Sequence, residues 1–366
     1  MTAGFYSPLP PARTGVADYA AALLGALRRH GRVEMAPERC DAALYHLGNN
    51  PLHAAIYDRA LARPGVVVLH DAVLHHFLLG RLDQAAYTEE FVYNYGEWTR
   101  GLAGDLWRGR ASAGSDPRYF EYALLKRVAE GARAVIVHNP AAARAVSDHA
   151  PSARVVEIPH LFDPPALPDA VQVLRWRAAH GVPLDAFLFG VFGFLRESKR
   201  LFSVLDAFTR LRREQPRAHL LVAGEFVSSD LARAAGPLLQ APGIARVPYL
   251  PEAGFWTAAS AVDACVNLRY PAAGETSGIA VRLMGIGKPV LVTEALENSR
   301  YPDGACLRIP AGAAERDSLF AHMVLLASMA GVASAVGRQA AAHIRDCHSV
   351  EGVAGLYWKT LCDSRG

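Results

Sequence analysis

Short, largely apolar runs recur along this chain, and helix-length segments separate them. Such runs are typical of the interior strands of a parallel sheet, because helices cover both of its faces. The strongest of these runs lie at 64–71, 134–139, 187–194, 218–225 and 261–268. Further strands are expected at 5–8, 42–46, 154–160, 246–250 and 289–293, and a helix is expected at 201–214. This alternation of strands and helices in both halves predicts an α/β protein with two doubly wound parallel sheets of the Rossmann-like type.

The length of 366 residues suits two domains of ordinary size. The proline-rich segment 162–169 is the best linker in the chain. We therefore predict a first domain at 1–165 and a second domain at 170–348.

Composition narrows the class of protein. A net charge of +3 is too weak to indicate nucleic-acid binding, although a local basic patch would suit an anionic membrane surface. The five cysteines are scattered and form no CxxC pair, which favours a reducing compartment without disulfides or a zinc site. No basic-then-apolar leader and no membrane-spanning apolar run are present, so we expect a cytoplasmic protein, with a possible peripheral position at the inner face of the membrane.

The stretch 267–293 reads as strand, loop, helix and strand. Thr276 and Ser277 are good N-cap residues, so the helix is expected to begin there. Glu275 would then stand beside the N–H groups of Thr276, Ser277 and Gly278. A helix N-terminus with a carboxylate beside it suits an anion, or a sugar whose hydroxyls need both donors and an acceptor.

Other polar residues also follow predicted strands. Ligands of open parallel sheets bind at the carboxyl ends of the strands. A cleft between the two domains is therefore expected to collect these residues. They are Gly15, Gly48–Asn50, His70–Asp71 and His138 in the first half, and Arg196–Lys199, Glu225 and Gly274–Gly278 in the second.

Taken together and in order, the motifs resemble those of the retaining nucleotide-sugar glycosyltransferases of family 4, which have the GT-B fold. The resemblance covers nearly the whole chain, and its details are most similar to bacterial members that act in O-antigen and polysaccharide assembly. The segments that carry it are PLPPARTGVADYAAALL, VVVLHDAVLHH, IVHNPAAARAV, IPH, GFLRESKR, NLRYP, GETSG and GKPVLVT.

This resemblance implies a fold and a reaction. In the GT-B fold the two domains face each other across a cleft, and the last helix, here within 349–366, crosses back to the first domain. The implied reaction moves a hexosyl group from a nucleotide-diphosphate sugar to the hydroxyl of a glycan, a lipid-linked molecule or a small molecule, with retention. No cofactor is implied, and the absence of a DxD pair agrees with an enzyme that needs no metal.

Residues for the donor diphosphate follow from the same resemblance. Gly15 matches the glycine loop near the diphosphate, and Lys199 matches the lysine of a basic pair that grips it. The arginine position of that pair is occupied by Phe194. Arg196 or Arg200 is therefore expected to substitute for the missing arginine.

The resemblance also assigns the sugar contacts. His70 matches a histidine near the donor sugar. In the family's paired glutamate motif, the second glutamate falls on Arg282 and the first on Gly274, one residue before Glu275. A one-residue shift lets Glu275 keep the sugar contact, while the ribose contact is lost or replaced. Glu275, His70 and Lys199 are the predicted catalytic residues, and Tyr249 is a further donor-binding candidate.

Aromatic residues and arginines are dense between 87 and 122. Most of these aromatics are expected to be buried in a helical lid. Trp98 and Trp107 are the candidates for stacking on an acceptor sugar, and the arginines would suit an anionic membrane surface.

Alternatives stay open at this point. The substitutions at Phe194 and Arg282 also suit a catalytically silent homologue that acts as a binding protein, and a nucleotide-sugar epimerase or hydrolase would use the same fold. Arg282 is either exposed or paired with Glu297 or Asp263. The other histidines that follow strands are interpreted as structural, namely His75, His76, His138 and His160.

Overall fold

The computed structural model describes residues 1–365, which form two compact units. The first unit contains Met1–Asp163, Pro271–Thr276 and the described residues from Cys347 onward. The second contains Pro164–Tyr270 and Ser277–Asp346. The change from the first unit to the second at Asp163 falls inside the segment predicted as a linker.

The first unit has a six-stranded parallel sheet with the strand order β2-β1-β3-β4-β5-β6. The inner strands β4 and β5 are apolar and buried at every position, because helices cover both faces of the sheet. The strands are β1 (Thr2–Tyr6), β2 (Arg32–Met35), β3 (Ala42–Leu47), β4 (Val66–Leu69), β5 (Ala134–Val137) and β6 (Val155–Glu157).

Nine helices of the described residues belong to the first unit. They are α1 (Gly15–His30), α2 (Ala54–Ala62), α3 (His75–Leu79), α4 (Gln84–Tyr95), α5 (Arg100–Gly109), α6 (Arg118–Glu121), α7 (Lys126–Gly131), α8 (Pro140–His149) and α16 (Val350–Asp363).

Helix α16 packs on α1, in the core formed under one face of the first sheet. The hydroxyls of Tyr19 and Tyr357 are 2.9 Å apart, and both side chains are buried. An exposed ion pair between Arg29 and Glu351 joins the same two helices. The last helix of the chain therefore completes the first unit rather than the second.

The aromatic segment between β4 and β5 forms several short helices. Tyr87, Phe91 and Tyr119 are fully buried within it, together with Leu106. Most of its aromatic side chains therefore serve a core, as predicted, and only a few reach the surface.

The second unit has its own six-stranded parallel sheet, with the order β12-β11-β10-β7-β8-β9. Its strands are β7 (Phe187–Phe192), β8 (Ala218–Ala223), β9 (Ile244–Val247), β10 (Ala264–Asn267), β11 (Val290–Thr293) and β12 (Leu307–Ile309). Its helices are α9 (Ala170–Ala179), α10 (Leu201–Glu214), α11 (Ser229–Ala235), α12 (Glu252–Ala261), α13 (Gly278–Gly285), α14 (Glu315–Ser328) and α15 (Ala330–Cys347).

The predicted pair of doubly wound parallel sheets is confirmed, with errors at the edges. Strands β2 and β12 were not predicted, because both are short, lie at the edge of a sheet and are only partly buried. The predicted strand at 246–250 begins earlier, at Ile244, and ends at Val247. Strand β1, predicted at 5–8, begins three residues earlier, at Thr2, and ends at Tyr6. The other strands and helix α10 lie close to their predicted positions.

Among residues 1–365 no single helix is long and apolar enough to cross a bilayer. Only α14 and α15 together reach that length and composition, and the two are bent by 103° relative to each other.

Candidate functional site

The loop 271–276 groups with the first unit, although the chain on both sides of it belongs to the second. The backbone N–H of Ala72, after β4, donates to the carbonyl of Ala273 at 2.8 Å. The side-chain amide of Asn139, after β5, donates to the carbonyl of Gly274 at 2.9 Å. The loop is thus fixed to the carboxyl ends of two neighbouring strands of the first sheet.

Gly274 is required by this arrangement. Its φ of +70° is in the left-handed region, and a Cβ at this position would lie 2.6 Å from the Cβ of Ala72. The carboxylate of Glu275, which is half-buried, accepts a hydrogen bond from the N–H of Ala273 at 2.7 Å. Backbone geometry and this hydrogen bond therefore set the direction of the Glu275 side chain.

Helix α13 begins at one of the two predicted N-cap residues. Ser277 is the N-cap, and its hydroxyl accepts from the N–H of Ala280 at 3.3 Å. The first-turn N–H groups thus start at Gly278 and Ile279, in the second unit. Thr276 lies in the first unit, where its hydroxyl accepts from the Asn139 amide at 2.9 Å. Of the predicted set, Ser277 is the N-cap and Gly278 is the first helical residue, whereas Thr276 lies outside the helix.

Lys199 lies in the second unit, close to the first turn of α13. It is only 7% exposed, and its ammonium donates to the carbonyl of Phe192 at the carboxyl end of β7. A Cβ at Gly193 would lie 3.2 Å from the Lys199 Nζ and 3.7 Å from a side-chain carbon of Ile279. The ammonium and the first turn of α13, through the side chain of Ile279, thus lie near one glycine. Both carry positive charge, fixed or partial, so the arrangement suits an anion.

Only one of the two arginines expected to assist Lys199 is available. Arg200 donates through Nε to both carboxylate oxygens of Glu315, at 2.9 and 3.0 Å. Glu315 is 1% exposed, and the hydroxyl of Ser203 donates to it as well. Arg196 is exposed, and its guanidinium makes no hydrogen bond or ion pair with any residue between 1 and 365. Phe194, in the expected arginine position, is 42% exposed.

Arg282 lies on α13 and pairs with a residue that the sequence did not single out. Its guanidinium is 3.4 Å from the carboxylate of Glu252 and packs over the rings of Phe255 and Trp256. Asp263, one of its two predicted partners, is bound to another arginine of the second unit. A positive charge held by a carboxylate of α12 thus stands where the resemblance implied a glutamate.

Four histidines surround Tyr19 at the carboxyl ends of β3 to β6 in the first unit. Ring centroids lie 5.0 Å from Tyr19 for His70, 5.3 Å for His138 and 4.7 Å for His160. His46 completes the group, with its Nδ1 2.9 Å from the Nε2 of His70. The sequence predicted His70 here and interpreted His138 and His160 as structural.

Burial favours the neutral form of three of these histidines. Desolvation lowers the pKa of His46 and His70 well below the ordinary histidine value, and it lowers the pKa of His138 to about 4. Nδ1 of His138 donates to the carbonyl of Ile158 at 2.9 Å, so its Nε2 is an acceptor, buried without a partner. His70 is therefore suited to neutral hydrogen bonding and not to ion pairing.

Other predicted residues lie elsewhere. Gly15 opens α1 behind its cap, Thr14, and a Cβ there would meet nothing within 4 Å, so packing does not require a glycine. Tyr249 is exposed in the loop after β9. The side chain of Trp98 is 80% exposed and belongs to neither core. No three His, Cys, Asp or Glu side chains of the described residues come together as metal ligands.

Trp107 lines a surface pocket of about 540 Å³ in the first unit. The guanidinium of Arg110 lies over its indole ring, 4.5 Å from the centroid. The sequence singled out Trp107 but not the pocket, because its walls come from segments that approach one another only in the folded chain. The side chains around the pocket include His76, Leu79, Leu82, Trp107, Arg110 and Ala113.

Comparisons with known proteins concern the fold. No family model and no curated protein sequence matches the chain. Among solved structures, HepE from Anabaena in complex with UDP and glucose is similar at 15% identity, with a TM-score of 0.68, over 99% of this chain and 100% of that chain.

Two further structures agree. WaaG, a glycosyltransferase involved in lipopolysaccharide biosynthesis, has 14% identity and a TM-score of 0.65, over 99% of each chain. Sucrose-phosphate synthase from Thermosynechococcus elongatus has 14% identity and a TM-score of 0.66, also over 99% of each chain. At such low identity the likeness concerns architecture, and it confirms the prediction that this chain has the GT-B fold, with two parallel six-stranded sheets and flanking helices.

Proposed function

We propose that this protein is a glycosyltransferase that moves a hexosyl group from a nucleotide-diphosphate sugar to an acceptor hydroxyl. The observation that carries this proposal is the buried Lys199 ammonium at the carboxyl end of β7, beside Gly193 and the side chain of Ile279 in the first turn of α13. The fold shared with HepE, which was solved with UDP-glucose, supports a nucleotide sugar as the donor and makes the UDP series the first to test.

The charges at this site suit a departing nucleoside diphosphate. Negative charge builds up on the diphosphate as its bond to the sugar breaks, and positive charges already in place stabilise it without reorganisation. Lys199 supplies an ammonium, and the N–H groups of Gly278 and Ile279 supply hydrogen-bond donors. The guanidinium of Arg196 has no partner among the described residues and would add a second cation. This donor set takes the role that a metal ion plays elsewhere.

Residues of the first unit would bind sugar hydroxyls. The Glu275 carboxylate is an acceptor held by its own loop, and the neutral ring of His70 is a hydrogen-bonding group whose partner, His46, fixes its orientation. A neutral histidine and an anionic carboxylate complement hydroxyl groups, which both donate and accept.

We infer retention, as in the family that the sequence resembles. The acceptor oxygen would attack the anomeric carbon on the face that the diphosphate leaves, and a phosphate oxygen of the leaving group would take the acceptor's proton. One glycosidic bond forms while the sugar–phosphate bond breaks. No separate base is needed, because the leaving phosphate takes the proton. Membership of family 4, a role in bacterial polysaccharide or glycoconjugate assembly, independence of metal and a cytoplasmic location stay predictions from the sequence.

One observation favours a second candidate. Arg282, paired with Glu252, stands where a ribose-binding glutamate is expected, and Phe194 replaces the expected arginine. A homologue that has lost turnover and acts as a binding protein would tolerate both changes. The presence of Lys199, Glu275 and Gly193 in one chain weighs against this candidate.

Thermal stability in the presence of nucleotides tests the proposal. The melting temperature would be measured with UDP, GDP, dTDP, ADP and CDP and their sugars, each with a metal chelator. Binding at 100 times Kd stabilises a folded protein by about 2.7 kcal/mol, which is easily measured. We expect one nucleotide series to raise the melting temperature of the wild type and of Lys359→Met, an exposed lysine of α16, but not of Lys199→Met.

Turnover is then measured with the donor so identified. Acceptor-dependent release of the nucleoside diphosphate, strongly reduced in Glu275→Gln, is the expected result. Release of free sugar without any acceptor would favour a hydrolase, and binding without release would favour the silent homologue. No stabilisation by any nucleotide would contradict the proposal itself.

A further inference from the structure

The surface pocket beside Trp107 has an apolar floor. Leu79 and Ala113 are buried at its base, and Leu82 is partly buried beside them. The indole of Trp107 forms one wall, and a ring of Phe120 packs behind His76 at a centroid distance of 5.1 Å. A volume of about 540 Å³ is in the range of pockets that bind small organic molecules.

Arg110 at the rim of this pocket differs from the arginines around it. Its neighbours in the same helical segment are each paired with a carboxylate. The pairs are Arg81 with Asp58, Arg100 with Glu89 and Glu97, Arg108 with Asp105, and Arg118 with Asp116.

The Arg110 guanidinium has no such counterion among the described residues. Its hydrogen bond goes to the carbonyl of Trp107 at 2.8 Å, and its plane packs over the indole. Stacking on an aromatic ring orients a guanidinium and leaves its outer N–H groups for a ligand. An unneutralised cation is therefore held at the mouth of an apolar pocket.

We propose that this pocket binds an aliphatic chain that carries a phosphate. The chain would lie on Leu79, Leu82 and Ala113, and the phosphate would accept two parallel hydrogen bonds from Arg110. A free anion would not use the apolar floor, and an uncharged chain would not use the cation. Only an amphiphile with an anionic head satisfies both halves of the pocket.

The pocket is tied to the edge of the sheet that carries the candidate site. Asn49, after β3, accepts from the N–H of Phe77 at 2.7 Å, and its own N–H donates to the carboxylate of Asp71 at 2.7 Å. These two bonds fix α3, which forms one wall, to the loops that follow β3 and β4. If the proposed function holds, the ligand of the pocket is the lipid-phosphate part of the acceptor; this last step rests on that function, whereas the binding does not.

Calorimetric titration with alkyl phosphates tests the binding, without donor and below the concentration at which they form micelles. Butyl, hexyl and octyl phosphate are the probes, with inorganic phosphate and octyl glucoside as the anion and the chain alone. We expect affinity to rise by up to about fourfold for each methylene that enters the pocket. Both control ligands should bind at least about tenfold more weakly than octyl phosphate, since each lacks one half of the interaction.

Two variants locate the site. Arg110→Gln should weaken octyl phosphate by about tenfold or more, because a charge-assisted bidentate contact is lost. Arg108→Gln is the matched control, since Arg108 is exposed, lies two residues away and is paired with Asp105, and it should bind as the wild type does. Leu82→Ser should flatten the dependence on chain length and keep the preference for phosphate over octyl glucoside.

Several results would overturn the proposal. If octyl phosphate binds Arg110→Gln as tightly as it binds the wild type, Arg110 does not bind the phosphate. If butyl and octyl phosphate bind with equal affinity, the apolar floor does not bind the chain. Equal binding of inorganic phosphate would reduce the pocket to an anion site. A protein that binds octyl phosphate as described but transfers no sugar refutes the proposed function and leaves the pocket in place. Transfer to a lipid-phosphate acceptor that is unchanged in Arg110→Gln overturns the acceptor step.

Discussion

Acid should destabilise the first unit through its buried histidines. His46, His70 and His138 are buried at the carboxyl ends of β3 to β5, and desolvation lowers the pKa of each. A group with a lower pKa in the folded state binds protons more readily when the chain unfolds. Its contribution to stability is therefore complete above the unfolded pKa, near 6.5, and is lost as the pH falls below that value.

The magnitude is set by His138, whose pKa is lowered to about 4. Proton linkage between that value and the ordinary 6.5 gives a loss of about 2 kcal/mol at about pH 5, and about 3 kcal/mol once the pH reaches the folded pKa. His46 and His70 add to the loss in the same direction. A domain of ordinary stability, about 5 to 15 kcal/mol, would lose a large fraction of it.

Urea unfolding between about pH 8 and pH 5 measures this loss. The variant is His138→Asn, whose amide can keep the hydrogen bond to the carbonyl of Ile158 but does not titrate. We expect the free energy of unfolding of the variant to fall by about 2 kcal/mol less than that of the wild type over this range. His30→Asn, at an exposed histidine on α1, is the control and should behave as the wild type does.

Equal pH dependence in the wild type and in His138→Asn would refute the reasoning. It would mean that the His138 ring is hydrated or already partnered in solution. Stability that increases as the pH falls would contradict the sign for the whole histidine group.

Two further predictions concern the candidate site. Gly274→Ala places a Cβ against Ala72 at a φ of +70° and should displace the loop. We expect the rate of sugar transfer to fall at least about tenfold, while the melting temperature changes little. Unchanged kinetics would show that the loop adapts to the added Cβ. Arg200→Gln leaves the carboxylate of Glu315 buried without its cation, so it should destabilise the second unit by about 3 kcal/mol in urea unfolding. The double variant with Glu315→Gln should recover part of that loss, and a double variant as unstable as Arg200→Gln would contradict the ion pair's role.

Much of the architecture could be predicted from the sequence alone. Interior strands such as β4, β5 and β8 are buried on both faces, so their apolar runs are visible without any knowledge of their neighbours. Helix α10 was predicted at its observed bounds, because its apolar residues recur with the helical period. The edge strands were predicted poorly, because a half-exposed strand of three or four residues has only a weak pattern. Strands β2 and β12 were missed, and β6 and β9 were found with inaccurate bounds.

The candidate site was predicted in its parts and not in its assembly. Lys199, Glu275 and His70 could be found from their places after predicted strands, which is a local signal. The grouping of the loop at Glu275 with the first unit depends on Ala72 and Asn139, which are far away in sequence. Sequence order carries little information on such contacts, because the backbone carbonyls of Ala273 and Gly274 that accept them have counterparts in every residue.

Tertiary structure alone decided which charges are available. Arg196 and Arg200 were equivalent candidates in the sequence. In the fold, Arg200 is paired with Glu315, which lies more than a hundred residues further along the chain, whereas Arg196 is exposed. In the same way Asp105 is the counterion of Arg108, while Arg110 has no counterion among the described residues and lies at the mouth of a pocket. The sequence determined where strands, helices and reactive residue types lie, because these follow from local chemistry. Which of those residues can meet a ligand was decided by their partners across the fold, because a charge acts on a ligand only where no nearer opposite charge cancels it.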